Sequence, residues 1–235
     1  MKVLKSLILA PMIFGMSVAN SAIIDFVQLT ESSGGLGESA WNTLNITNSE
    51  FSLDISGTKD GKAAAAYLDW NHAGLGVCGL SGVTNGVTKF TQKLDTARSG
   101  NSGNVCWNAG DDNVTIGESL SFVFDTNVRI DKIWLNNTHD PDRNILDPDL
   151  ITIDGTDYKG PGNGYAPSTN YSGYSSSVNN WLGAFSVNAG HEFTIAFNDQ
   201  QFYVSGMEVT VVPEPSILAL MGLGLFGLGF ARHKK

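Results

Sequence analysis

Apolar and polar residues alternate one by one along much of this chain, which is the period of a β-strand that buries one face. The alternation is clearest at residues 120–124 and 193–197 and in a long last segment, residues 203–211. Shorter apolar segments between turn residues also have the length and composition of strands. One of them begins with four alanines and is compatible with either a strand or a short helix. These further strand candidates are residues 23–29, 51–55, 63–68, 87–91, 128–135 and 151–154.

Two local features refine this pattern. Within residues 128–135 the apolar phase shifts after Ile130, which predicts a β-bulge at that point. Glycine follows Asp or Asn at residues 60–61, 85–86 and 154–155, a pair typical of two-residue hairpin turns. Short strands joined by such turns predict an all-β fold, and we expect an antiparallel β-sandwich of the jelly-roll kind.

The N-terminus resembles a secretory signal peptide. It has a short positive start and a largely apolar stretch at residues 6–18, and Ala19, Ser21 and Ala22 are small residues that offer cleavage sites. We assign residues 1–21 to the signal peptide; an uncleaved anchor or a buried N-terminal helix is the alternative. The remaining body, residues 22–211, is long enough for one secreted domain with a sizeable core.

The C-terminal segment, residues 212–235, opens with Pro213, Glu214 and Pro215. Each proline disfavours helix at the residue before it, so we expect this tripeptide to be extended and exposed. Residues 217–231 follow as an uncharged apolar stretch, which predicts a transmembrane helix. At about 23 Å it is short for a hydrocarbon core of roughly 30 Å. The basic residues that stop it are Arg232, Lys234 and Lys235.

This order of parts resembles the PEP-CTERM sorting signal of Gram-negative bacteria, on which the membrane protease-transpeptidases called exosortases act. The resemblance implies an exosortase as partner, export of the body, and processing of the tail near Pro213 to Ser216. By the positive-inside preference the basic stop stays cytoplasmic and the body faces the periplasm. We therefore expect a transient anchor in the inner membrane, followed by residence on the outer surface or in the extracellular matrix.

The charge of the chain argues against nucleic acid as a partner. There are 14 basic and 23 acidic residues, a net charge of −9. Five of the basic residues and one of the acidic residues lie in the terminal segments, which leaves the body with 9 against 22, or −13. Such a surface repels nucleic acid and anionic lipid headgroups and favours solubility and the binding of cations.

The two cysteines, Cys78 and Cys106, both lie in the body. An even number in an exported chain predicts one disulfide. On the chain-entropy model, closing this loop would stabilise the fold by about 3–4 kcal/mol. Two free thiols or half of a metal site are the alternatives.

Calcium is the one cofactor for which the sequence contains candidate ligands. Asp140, Asp142 and Asn144 match the opening of a calcium-binding loop, but Ile145 and Ile151 replace the glycine and the glutamate that an EF-hand needs. These oxygens suit a looser calcium site. The alternative, a solvated loop between strands, is favoured, so that no cofactor is expected.

No catalytic motif stands out in the body. Residues 100–103 contain a serine between glycines, as around some serine-protease nucleophiles, and His72 and Asp95 precede it in the chymotrypsin order. The segment between His72 and this serine is too short to hold the two barrels that such an active site bridges. No two carboxylates are singled out as a glycosidase pair.

Four tryptophans and several tyrosines remain as stacking groups for sugars, although packing in the core is their commoner use. The candidate glycan contacts are the loop residues Tyr165, Tyr171 and Tyr174.

Two functions from different classes follow. The first is a non-enzymatic structural protein of the exopolysaccharide or biofilm matrix, which is what the resemblance to exosortase substrates implies. The second is an extracellular carbohydrate-binding module or a hydrolase that acts on polysaccharide. We favour the first, because no active-site motif rises above chance.

Overall fold

A computed structural model describes most of the body of this protein. Where we speak of described residues, we mean the following ranges: 21–30, 36–70, 72–78, 113–137, 149–167 and 179–213.

These residues form thirteen strands and one short helix, so the fold is all-β apart from α1. In chain order the elements are β1 (Ser21–Asp25), α1 (Phe26–Thr30), β2 (Ser39–Trp41), β3 (Leu44–Thr47), β4 (Ser52–Lys59), β5 (Lys62–Asp69), β6 (Gly74–Cys78), β7 (Glu118–Phe124), β8 (Val128–Asn136), β9 (Leu150–Ile153), β10 (Thr156–Lys159), β11 (Phe185–Val187), β12 (Glu192–Phe197) and β13 (Tyr203–Val211).

The strands join into one antiparallel sheet that curls into a half-barrel. Its path runs β10-β9-β12-β7-β4-β5-β6-β13-β8-β11, with β1, β2 and β3 attached to β13, β5 and β4. The bend falls in β5, whose first half pairs with β4 and whose second half pairs with β6. The predicted antiparallel all-β fold is confirmed, whereas the predicted division into two sandwich layers is not.

The curl encloses the core between the ends of the sheet. Tyr158 on β10 and Phe185 on β11, the two end strands, have ring centroids 5.5 Å apart. Phe122 lies deeper, with its ring 6.5 Å from that of Phe26 and 6.4 Å from that of Phe193. Such tilted aromatic contacts add to the burial of large apolar surfaces. The alternation at residues 120–124 and 193–197 therefore agrees with the structure: Leu120, Phe122, Phe124, Phe193 and Ile195 are buried, and Phe197 is partly buried against the same core.

One predicted strand proved to be two elements. Residues 23–29 were expected to be extended throughout, but the chain turns into α1 after β1. The side chain of Asp25 accepts a hydrogen bond from the backbone N–H of Gln28 at 2.9 Å, which is the contact of a helix N-cap. This turn allows Phe26 and Val27 to be buried against the sheet. Because the apolar residues continue from β1 into α1, the sequence pattern of residues 23–29 could not reveal where the strand ends.

The structure confirms the bulge expected in residues 128–135. Opposite β13, Lys132 pairs with Glu208 and Ile130 pairs with Val209, so Asp131 is the extra residue. A second irregularity leaves Ser205 unmatched on β13. Because a bulge changes which way the following side chains point, these two sites decide what the outer face of the sheet presents.

The turns at residues 60–61 and 154–155 are also confirmed. Both residues of each turn have positive φ, namely 51° and 70° in the first and 45° and 74° in the second. Positive φ at both central positions is the requirement of a type I′ hairpin turn, which Asp-Gly meets at little cost. The Asn-Gly pair at 85–86 and the strand expected at 87–91 lie outside the described residues. Residues 63–68, left open between helix and strand, lie in β5.

Candidate functional site

The last strand leads directly into the predicted sorting segment. β13 ends at Val211, the N–H of Val212 donates to the carbonyl of Asn127 at 2.9 Å, and Val212 and Pro213 are exposed. The chain thus leaves the body at Pro213, the first residue of the predicted tripeptide. Glu214, Pro215 and the basic stop at Arg232, Lys234 and Lys235 lie outside the described residues.

The N-terminal strand lies beside this exit. β1 is antiparallel to β13, and Ser21 is paired with Thr210, three residues before Pro213. The chain therefore enters the fold next to the point at which it leaves. Both predicted membrane segments, the signal peptide before β1 and the anchor after Pro213, connect to this one edge of the body.

An open groove of about 570 Å³ lies on the outer face of the sheet at the same edge. It is bounded by the ends of β1, β8 and β13 and by the segment that precedes β11. The residues that line it are Ser21, Arg129, Asp131, Lys132, Trp181, Gly183, Ala184, Glu208 and Thr210.

The bulge in β8 supplies the polar side chains of this groove. Ile130 and Ile133 are fully buried on the inner face. In a regular strand, side chains three residues apart point to opposite faces, and so do the two side chains between them. The extra residue places both Asp131 and Lys132 in the groove, together with Arg129. The phase shift seen in the sequence is therefore the origin of the charged surface.

These charged side chains bind one another in pairs. The Arg129 guanidinium and the Thr210 hydroxyl both donate to the carboxylate of Asp131. Lys132 Nζ donates to Glu208 Oε2 at 2.6 Å. Partly exposed pairs like these contribute only about 0.2–1 kcal/mol each to stability, so their main effect is to fix the positions of the donors and acceptors. The groove holds two cations and two anions and has no net charge.

Trp181 forms the apolar wall of the groove, with 40% of its surface exposed. Its neighbour Leu182 is tied to Ile133 of β8 by two backbone hydrogen bonds of 2.6 and 3.0 Å. Lys132 Nζ lies 5.9 Å from the Trp181 ring and 5.7 Å from the ring of the buried Trp134, within cation–π range of both. Backbone and side-chain contacts therefore hold the exposed indole against the paired charges.

We expect Gly183→Ala to destabilise the body by about 1–3 kcal/mol, the usual cost of overpacking. A Cβ atom at Gly183 would overlap the backbone carbonyl oxygen of Asp131, which cannot move without disturbing the bulge. Urea denaturation of the processed protein measures the change. The adjacent Ala184→Ser is the matched control, since Ala184 is exposed and should shift the free energy of unfolding by less than about 0.5 kcal/mol. Equal stabilities for the two variants would contradict this account of Gly183.

One of the three residues proposed as glycan contacts, Tyr165, is buried. Tyr165 is only 4% exposed and belongs to the packed interior, because residues 163–166 fold over β8 and β13. Tyr171 and Tyr174 lie outside the described residues. Trp134 is buried, whereas Trp70 and Trp181 are exposed. Alternation could not separate these tryptophans, since their exposure depends on which segment covers each ring.

Most of the residues of the predicted metal site and disulfide lie outside the described residues. Asp140, Asp142 and Asn144 lie outside the described residues, and within those residues no three His, Cys, Asp or Glu side chains cluster as a metal site would require. Cys78 is buried at the end of β6, but Cys106 lies outside the described ranges. The disulfide and the calcium loop therefore stay predictions.

In the part of the chain that the structure describes, no helix is long and apolar enough to cross a membrane. The predicted anchor at residues 217–231 and the first 20 residues of the predicted signal peptide, residues 1–21, are not among the described residues; Ser21, the last residue of that prediction, begins β1.

Comparison with known proteins bears on the C-terminal segment. Residues 211–235 match the family model of the PEP-CTERM protein-sorting motif. This segment therefore carries the PEP-CTERM sorting motif, which marks a substrate of an exosortase and implies an exported protein that is held transiently in the membrane before processing. No curated protein and no solved structure matches the chain.

Proposed function

We propose that this protein is a non-enzymatic structural component of an extracellular polysaccharide matrix, released from the membrane by an exosortase. The observation that carries the proposal is the position of the sorting motif immediately after the last core strand. β13 pairs with β8 along its whole length except at Ser205, and the pairing ends at Val211. A cut beyond Pro213 therefore removes no strand, so the body keeps its fold when the tail is lost.

The geometry of the groove supports a role without catalysis. Glycoside hydrolysis needs two carboxylates that face the glycosidic bond from positions some 5 to 9.5 Å apart. In the groove Asp131 is engaged by Arg129 and Thr210, and Glu208 is engaged by Lys132. Each carboxylate is occupied by its own partner. This arrangement suits a surface that holds a ligand better than a surface that transfers protons to one.

The pairing of β1 refines the expected N-terminus of the mature protein. A cut after Ala22 would remove Ser21 and Ala22, which pair with Thr210 and Val209 of β13. Ala22 also packs against the core. Cleavage after Ala19 keeps the whole of β1, and Ser17 and Ala19 are small residues at the spacing that a signal peptidase requires. We therefore place the mature N-terminus at Asn20.

Intact mass spectrometry of the protein from the cell surface, without and with reductant, tests this proposal. The expected chain begins at Asn20, ends between Pro213 and Ser216, and gains about 2 Da when the predicted disulfide is reduced. A chain that keeps residues up to Lys235 would instead be a permanent membrane protein, and the matrix role would be abandoned. An N-terminus after Ala22 would refute only the assignment of the cleavage site.

A further inference from the structure

The groove at the edge of the sheet combines the two features by which proteins recognise sugars. One is an exposed indole face, and the other is a fixed set of hydrogen-bond donors and acceptors beside it. A pyranose ring has a flat apolar face of C–H bonds and a rim of hydroxyl groups, so it matches both features at once. A cleft of about 570 Å³ also lies within the range of small-molecule sites.

Trp181 is suited to stacking because its ring is exposed and its backbone is held in one conformation. The indole has only two rotatable bonds, and the bridge between Leu182 and Ile133 fixes its backbone. Lys132, which lies near its ring, is itself held by Glu208. A ligand would therefore meet a preorganised surface and would lose little binding energy to ordering the protein.

The polar rim offers both donors and acceptors within reach of one sugar. Arg129 has 53% of its side chain exposed and supplies N–H donors, while Asp131 and Glu208 supply carboxylate acceptors. Ser21 and Thr210 add hydroxyl groups that can do either. Sugar hydroxyls also donate and accept, and so they can bind to both kinds of group without displacing the existing ion pairs.

The charges decide which class of sugar the groove takes. Its two cations are matched by two anions, which leaves no net positive charge to attract a carboxylate or sulfate group. The body as a whole is strongly acidic, since the chain carries 23 acidic against 14 basic residues. Its field therefore repels anionic polymers such as polyuronates. The complementary ligand is a neutral polysaccharide.

We infer that this groove binds a neutral polysaccharide chain, with Trp181 stacking on a sugar ring and the paired charges binding its hydroxyl groups. The inference rests on the proposed matrix role and adds the class of ligand to it. Because Thr210 lines the groove and precedes Pro213 by three residues, the bound polymer would lie next to the processed end of the chain. The protein would thus hold the matrix at the same edge from which it is released.

Affinity electrophoresis of the processed protein tests the inference. The native gels contain dextran, hydroxyethylcellulose, galactomannan, the neutral fraction of the exopolysaccharide of the producing cells, or alginate as the anionic comparison. At least one neutral polymer should retard the protein, and alginate should not. Retardation by no neutral polymer, or stronger retardation by alginate, would overturn the inference.

Two tryptophan variants locate the binding. Trp181→Ala should weaken binding to the neutral polymer about tenfold or more, which is the usual loss when an aromatic anchor is removed. Trp181→Phe should recover part of it, because a smaller ring still stacks. Trp70→Ala is the matched control, since Trp70 is 52% exposed but does not line the groove. A Trp181→Ala protein that binds as tightly as the wild type, or an equal loss with Trp70→Ala, would place the site elsewhere.

Folding and sorting are separated from binding by two further measurements. Circular dichroism and thermal melting should show that Trp181→Ala stays folded; if it does not, Arg129→Ala replaces it as the test and should weaken binding without unfolding. Binding is measured on purified protein and does not depend on the exosortase. A wild-type protein that loses its tail normally but binds no neutral polymer would refute the groove alone, whereas a wild-type protein that binds but keeps its tail would refute the matrix role alone.

Discussion

Phe122→Ala should lower the free energy of unfolding of the body by about 3–5 kcal/mol, the cost of removing a buried phenylalanine. The ring of Phe122 is completely buried in the middle of the sheet, and it contacts the rings of Phe26 and Phe193. The first of these comes from α1 and the second from β12, so one side chain connects the helix to the far half of the curled sheet. The loss should leave a cavity that neither neighbour can fill.

Urea denaturation of the processed protein, followed by circular dichroism, measures this change. Val123→Ala is the matched control, because Val123 is the next residue of β7 and is only half-buried. It should cost well under half as much as Phe122→Ala. Equal effects at the two positions would mean that the core does not lie on the face of β7 assigned here.

Alanine at Pro213, Glu214 and Pro215 together should stop maturation and leave the full-length protein in the membrane fraction. The match at residues 211–235 identifies these residues as part of the sorting motif. β13 ends before them, so the substitution removes recognition by the exosortase without removing any strand pairing. The body should therefore fold normally and fail only in release.

Immunoblots of membrane and surface fractions, together with intact mass, provide the measurement. Ile116→Ala controls for a general effect of substitution, since Ile116 is exposed in the turn before β7. This control should be processed and released like the wild type. Normal release of the triple variant would show that the exosortase does not require the tripeptide in this chain.

The sequence by itself determined the local features of this protein. The alternation at residues 120–124 and 193–197 correctly predicted strands and their buried face, because the period of a strand is set within the strand. The Asp-Gly pairs correctly predicted two-residue hairpin turns, because few other residues adopt positive φ at both positions. The shift after Ile130 revealed the bulge, and the order of residues 213–235 revealed the sorting motif. Each of these depends only on residues that are close in sequence.

The sequence could not predict the short strands or the course of the sheet. β2, β6 and β11 have three to five residues each, and β6 contains two glycines, so none has a pattern of its own. They are strands because a partner strand lies beside them. The continuous path through β5 likewise follows from pairings that no local signal encodes.

Only the tertiary structure decided where a ligand could bind. The groove brings together Ser21, Arg129, Trp181 and Glu208, which are far apart in the sequence and meet because β1, β8 and β13 are neighbours. The same packing buried Tyr165 and exposed Trp181, although both are aromatic residues in polar surroundings of the chain. Exposure is a property of what covers a side chain, and the covering segments come from elsewhere in the sequence. The tail that sorts the protein could therefore be identified from its residues, whereas the surface that would hold its ligand required the fold.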